Sequence, residues 1–480
     1  MSEQEPRRNH TRKQSSFIDR VQKLKGGLDL LDRGRCVNAA VLKQQAIDIP
    51  ALEAGLPPPI QRIPPEILSA IFIECLVETR VELPPRRRGP GHESYPWVLG
   101  HVCSHWSTVL WSTPEIWESI HISACKVEKI PLIPSMMQYI TGRTKTAISL
   151  NNLDFPQESI IDVIIPNPER FKDVKLFLTP SSFSAFFQLP FGRFDALEFI
   201  AIRCAGFPSS FPSQNTSPLM CAPKLKRVIV QLFRTERCPP PLLLLPWAQL
   251  THLTLIGVEV FPDFVHRTIL RQSTSIVDCK MRLAHGKFTP LTEEVVLPYL
   301  RKLQLASHHS LDWDTFLDPF VFPSLKTLAV VQPAIQTYTS LITRSNCALQ
   351  GLTVDAPGAN YRELQPLFWA SPSLVELQAN CILPPSFFED ISERGLFPYL
   401  HRLITVVDPE GLHAFLDLFE HNQEKPYGKV KIAHAYIECR QGPGTPDVAQ
   451  RFRRLSSEWA HDAAWKNILV RGLGVAPVSE

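Results

Sequence analysis

At 480 residues the chain exceeds what one compact core usually holds, so two or more units or a repeat array are expected. Its hydrophobic share of 44% is ample for burial, and a formal net charge of +3 excludes a global attraction to nucleic acid. Forty-four prolines, well above the usual ~5%, are spread throughout and predict many short elements between stiff turns.

Residues 1–16 are polar and basic, the composition of a disordered tail. Ile18, Val21, Leu24, Leu28 and Leu31 then recur in steps of three and four, as along a coiled-coil seam. Gly26-Gly27 interrupts that helix at roughly 1 kcal/mol per glycine. The segment reads as a self-association helix, or as one packed on its neighbours or lying on the surface. Val37, Val41, Leu42 and Ile47 predict a second short helix, and Pro57-Pro-Pro59 stiffens the approach to Ile60.

From Ile60 to Ile122 two apolar helical patterns flank a loop. Pro64 and Pro65 suit a first helical turn, where the missing N–H costs nothing. Ile67, Leu68, Ile71, Phe72 and Cys75 recur at helical spacing, and Leu99, Val102, Cys103, Trp106, Val109 and Leu110 do so after the loop. Thr113-Pro114 starts a fresh turn that delivers Trp117. The two helices carry more apolar surface than they can bury against each other.

The order Ile-Pro-x-Glu-Ile-Leu-x-x-Ile-Phe, Leu-x-x-Val-Cys-x-x-Trp, Thr-Pro-x-Ile-Trp resembles the F-box, in the manner of fungal F-box domain-containing proteins. Ile63 stands where leucine is commoner, and Val77–Tyr95, with Arg86-Arg-Arg88, is longer than the usual turn and reads as a flexible insertion. The resemblance covers about an eighth of the chain. It implies a Skp-type adaptor as partner and, through it, a cullin-based ubiquitin ligase. The adaptor contacts it implies are Ile63, Pro64, Pro65, Ile67, Leu68, Ile71, Leu99, Val102, Cys103, Trp106 and Leu110.

Beyond Trp117 a unit Φ-x-x-Φ-x-Φ, with Φ apolar, repeats. Clear copies start at Leu225, Leu250, Leu300, Leu325, Leu349, Leu374 and Leu400, in steps of 25, 50, 25, 24, 25 and 26 residues. The double step predicts a hidden copy at Ile276, and stepping outward finds Trp117, Lys145, Phe171, Leu197 and Tyr427. Each unit reads as a strand too small to bury its own apolar side, so stacking the units in parallel joins those sides into one core. The period resembles that of the leucine-rich repeat. The turn Asn or Cys of that family is missing, with Val258, His308, Pro333 and Pro357 in its place, so the array is degenerate. Segments 361–369 and 412–420 have helical spacing, and Pro446–Val470 reads as a capping helix stopped by Gly472.

The expected fold is therefore α/β. N-terminal helices (1–56) and a small all-helical F-box (57–122, inserted loop 77–95) precede a leucine-rich-repeat-like solenoid with a parallel sheet (117–433) and a C-terminal cap (434–480).

Little in the chain points to catalysis. His101 and His105 fall at i, i+4 on one predicted helix, a spacing that can grip zinc, but Cys103 points away and no distant pair completes a site. His308-His309 has no partner spacing, and no phosphate-cradling loop, serine elbow or nucleotide fingerprint occurs. No catalytic residue, metal or cofactor is expected. Eleven scattered cysteines without Cys-x-x-Cys pairs, and a basic rather than signal-like N-terminus, read as a reduced cytoplasmic or nuclear protein. The longest apolar run, Pro241–Trp247, is too short for a bilayer, so no membrane partner is expected.

The positions between the Φ residues alternate to the open side of the strands. Arg227, His252, Lys302, Gln304, Glu376, Gln378 and Arg402 are the candidate contacts to a target protein, weighted toward the C-terminal half. They show no run of one sign, which suits a protein better than nucleic acid. The alternative is a repeat-based interaction scaffold with no ubiquitin ligase association.

Overall fold

A computed structural model describes residues 62–75, 81–83, 96–122, 132–144, 147–152, 160–164, 166–189, 194–206, 217–237, 244–307, 311–331, 334–424, 432–440, 445–458 and 467–472. The predicted N-terminal helices, Pro57–Pro59, Arg86–Arg88 and His308-His309 lie outside these residues. The chain divides into two units, Met1–Leu68 and Ser69–Glu480. In the first, Ile63 is half-buried, Pro64, Pro65 and Ile67 are exposed, and Leu68 is buried.

The second unit is built on one fifteen-stranded sheet. Its early strands are β1 (Val81–Leu83), β2 (Ser119–Ile122), β3 (Ile148–Asn152), β4 (Phe171–Leu178), β5 (Phe199–Cys204), β6 (Arg227–Arg237), β7 (His252–Val260) and β8 (Asp278–Leu283). After the short β9 (Val295–Val296) come β10 (Lys302–Ser307), β11 (Phe320–Val321), β12 (Thr327–Val331), β13 (Gly351–Asp355) and β14 (Glu376–Ile382). The last are β15 (Arg402–Val407), β16 (His434–Cys439) and β17 (Ile468–Arg471). Every neighbouring pair is parallel and strand order follows chain order, while β9 and β11 pair as a separate two-stranded sheet.

The 25-residue period has a plain physical origin. Leu197, Leu225, Leu250, Leu300, Leu325, Leu349, Leu374 and Leu400 are all buried, each two residues before the start of its strand. Within a strand alternate residues go inward, as in Leu303-x-Leu305 and Leu377-x-Ala379-x-Cys381. The hidden copy is β8, whose Cys279 and Met281 fill the core in register with Leu303 and Leu305. Just before each strand, a backbone ladder links Lys226, Thr251, Val277, Arg301, Lys326, Gln350, Val375 and His401, each N–H donating to the carbonyl before it.

The first helix, α1 (Pro65–Glu74), precedes β1, and the others follow strands: α2 (Trp97–Gly100), α3 (Ser104–Ser112), α4 (Leu132–Arg143), α5 (Ile160–Ile164) and α6 (Pro180–Phe187). Farther on come α7 (Trp313–Leu317), α8 (Ile335–Ser345), α9 (Tyr361–Trp369), α10 (Pro385–Glu393), α11 (Pro409–Glu424) and α12 (Thr445–Glu458). Segments 361–369 and 412–420 are thus helical, as their spacing predicts. Phe368, Phe387 and Phe397 interlock with centroids 5.5–6.4 Å apart, and Phe388 meets Phe415 at 5.7 Å. None of the described helices is long and apolar enough to cross a membrane.

Four expectations are corrected. The insertion after α1 is not all loop: Val81 and Leu83 are buried, and β1 pairs with β2 as the first strand of the sheet. The copy expected at Tyr427 lies outside the described residues, and the strand that follows β15 is His434–Cys439, after a rim step of 32 residues from His401 to Ala433. The sheet does not stop at 433. α12 ends at Glu458, and Ile468–Arg471 pairs with β16, so Val470 is in a strand. Gly472 ends that strand, at φ +89, where a Cβ would lie 2.0 Å from the Cys439 carbonyl oxygen.

Candidate interaction surfaces

The first surface is built, within the second unit, by residues 69–74 of α1 with α2 and α3. The sequence pattern predicts one helix through Leu99–Leu110, but the chain breaks at Cys103, which is extended at φ −164. The Cys103 thiol accepts the Trp106 N–H at 3.5 Å and so caps a new helix. His101 and His105 therefore sit on different elements, and their i, i+4 spacing sets up no shared helical face. In the second unit, Ser69 Oγ lies 2.5 Å from Thr113 Oγ1 and Phe72 packs edge-on against Trp106 at 5.2 Å. Trp117 is fully buried, stacks on Trp111 at 4.2 Å and donates its indole N–H to the Leu110 carbonyl at 2.9 Å.

That packing uses up only part of the apolar surface. Ile71 is 41% exposed and Val102 is 52% exposed, and Ile73 and Val98 are exposed beside them in sequence. Ile67, in the first unit, is 55% exposed. Leu99, Cys103 and Trp106 are half-buried. Leu68, in the first unit, and Leu110, in the second, both expected among the adaptor contacts, are buried, each only 1% exposed. The spacing that groups Leu68 with Ile67 does not distinguish two adjacent flanks of one helix, roughly 100° apart. Ile73 and Val98 fall outside the motif positions, so sequence spacing gives no sign of them.

The second surface is the open side of the sheet. Arg227, His252, Lys302, Glu376 and Arg402 share one lateral row, in register through Asp278, Thr327 and Gly351. Gln304 and Gln378 lie in the next row, with Thr254, Lys280, Ala329, Thr353, Ile404 and Tyr436. All seven predicted contacts are outward-facing and at least partly exposed. Over β10–β16 this row floors a shallow groove of about 270 Å³, with Tyr436 at one end and Asp355, Asn380 and Glu438 along one side. Asn380 Nδ2 donates to Asp355 Oδ1 at 2.8 Å, and the Arg471 guanidinium lies 5.3 Å from the Tyr436 ring centre.

Charge divides this surface. The expectation of no run of one sign fits β13–β16, where Asp355, Glu376 and Glu438 accompany Arg402. It fails over β6–β12. There the rim and the first two rows hold Lys226, Arg227, Lys280, Arg301, Lys302 and Lys326 against the single carboxylate Asp278. Arg227 approaches Asp173 at 3.8 Å and lies over the Phe199 ring at 4.7 Å. The other five cations have no carboxylate within ion-pair distance among the described residues. Lys280 belongs to the weak copy at 276, and the rim cations precede their strands, which is why the alternation pattern alone misses the run.

Among the described residues no group of three or more His, Cys, Asp or Glu is placed to hold a metal ion. Burial pushes the Cys279 thiol up to about 12 and the Cys381 thiol up to about 11, the reverse of what a nucleophilic thiolate needs. No protein-family model matches the chain, and no curated protein matches it.

Proposed function

We propose that the chain is the substrate-recognition subunit of a Skp-cullin-F-box type ubiquitin ligase. Segment 60–122 is its F-box and binds a Skp-type adaptor, which carries the cullin. The leucine-rich-repeat-like array binds the target protein on the open side of its strands. The reading is supported chiefly by the exposure of Ile71 and Val102 inside a stretch whose residue order resembles the F-box. Large apolar residues left in water within an otherwise packed segment are what a protein interface covers. Truncating a buried interface anchor commonly costs about 2 kcal/mol or more.

The test is capture of a Skp-type adaptor by the full chain carrying Ile71→Asp and Val102→Asp. Both positions are exposed, so melting should be unchanged while adaptor capture is lost. Undiminished capture overturns the receptor reading and favours a scaffold with no ligase association. Charge reversal at Lys302 and Arg402 should lower target recovery with adaptor capture intact.

A further inference from the structure

We propose that the band across β6, β7, β8, β10 and β12 binds an extended acidic segment of the target protein. This names the chemistry of the partner for the open sheet side, and so rests on the target-docking half of the proposed function. The band is the place where outward side chains stop alternating in sign. In the rim and the first two outward rows, Lys226 and Arg227 stand at β6, Lys280 at β8, Arg301 and Lys302 at β10, and Lys326 at β12, with Asp278 as the one carboxylate there; Glu259 lies farther along β7, opposite Arg282. The chain as a whole is only +3, so this excess is local. Arg227 and Lys302 are exposed and Lys280 is half-exposed, so their charged ends reach water.

The geometry suits a peptide. Five adjacent strands at about 4.8 Å spacing span roughly 19 Å, which an extended chain at about 3.3 Å per residue crosses in about six residues. Cations stand on three of those five strands, and Lys326 stands just before a fourth, β12. A partner lying across them meets a positive group about every 5–10 Å, close to the ~6.6 Å between alternate residues of an extended chain. Asp or Glu at every second position therefore matches the band in sign and in spacing. The rim ladder leaves the Thr251 and His252 side chains between the cations, short polar groups that leave the path open.

The experiment measures fluorescence anisotropy of a labelled peptide of about twelve residues, Glu alternating with Ser, against the full chain. The same peptide with Gln for Glu is the control. The acidic peptide should bind at least about tenfold more tightly, and its affinity should fall several-fold as salt shortens the screening length from ~30 Å to ~8 Å. Lys280→Glu with Lys302→Glu and Lys326→Glu should remove that preference. Should this variant melt unfolded, Lys280→Gln with Lys302→Gln, expected to weaken binding about threefold, takes its place. Carbodiimide cross-links from the peptide carboxylates should map to Lys226, Lys280, Lys302 and Lys326. Equal binding of the neutral peptide, unchanged binding by the folded variants, or cross-links confined to other lysines each overturn the proposal. So does displacement of the acidic peptide by a single-stranded RNA at equal charge concentration, which would make phosphate the partner chemistry. Adaptor capture is read separately: its failure in the wild-type chain sinks the ligase reading and leaves the peptide result standing.

Discussion

The segment α1–α3 and the fifteen-stranded sheet draw on the same residue types and dispose of them in opposite ways. In the sheet most large apolar side chains go inward, and over β6–β16 the outward side is mainly Lys, Arg, Gln, Thr and Glu, with Phe233, Ile256, Ile404 and Tyr436 scattered among them. On α1–α3 Ile71, Ile73, Val98 and Val102 are left outside, although Phe72, Leu110 and Trp117 show that the same segment can bury apolar groups. A repeat can always be extended by one more strand, so its apolar side finds a neighbour within the chain. A short helical cluster has no such neighbour. The difference assigns different chemistries to the two surfaces: apolar area on the helices, charge and hydrogen bonding on the sheet.

Cutting the array gives the sheet an exposed apolar side of its own. Truncation after Val330 removes β13, the partner of β12, and with it Leu349, Leu352 and the phenylalanine cluster on α9 and α10. Neighbour-coupled units do not tolerate such a cut as a separate domain would. The 1–330 product should aggregate on expression. A soluble fragment that melts cooperatively would show that the array is not one continuous stack.

A finer version compares two adjacent residues of β14. Leu377 is 1% exposed in the leucine ladder and Gln378 faces out beside it. Leu377→Ala should destabilise the chain by about 2–5 kcal/mol, the range for a large buried aliphatic. Gln378→Ala should stay within about 0.5 kcal/mol, as exposed substitutions do. Denaturant midpoints of the two variants measure both. Equal losses would mean that the inward–outward alternation does not describe this strand.

How legible the molecule is in its sequence depends on the same division. The array is readable because a buried leucine sits at the same point of each turn, and its phase carries even to β8, where Cys279 and Met281 replace leucine. Phase fails where the chain leaves the period. β1 is three residues long between Arg80 and Pro84, too short to show alternation, and the step into β16 is 32 residues. The outward row of the sheet is legible once the strands are placed, since alternation is obligatory. Which apolar residues of α1–α3 stay exposed is not, because Ile67 and Leu68 are equally apolar and only the packing of neighbours separates them. The cationic band is legible only by register, since its members lie about 25 residues apart in the chain.

Among the buried polar residues, His266 lies outside the sheet strands and carries a titratable ring. His266 is fully buried in the helical segment 262–272, ringed by Phe288, Phe316 and Phe320 at 5.1–5.2 Å. Its Nε2 lies 3.0 Å from the Phe316 carbonyl oxygen, the geometry of a neutral imidazole donating that N–H. Burial holds its pKa below the ordinary 6.5, against the opposing pull of the Phe316 carbonyl and Asp263 and with the help of Arg267. A lowered folded value means that the unfolded chain takes up the proton first. The stability His266 contributes is therefore complete above pH 6.5, declines as pH falls below it, and is gone once pH passes the folded value. His266→Gln keeps a donor for Phe316 and removes the titration. It should cost a little stability at pH 7.5 and lose less than the wild type on going to pH 5, as read by melting temperature. An identical acid-induced drop in both proteins would show that protonation of His266 plays no part in it.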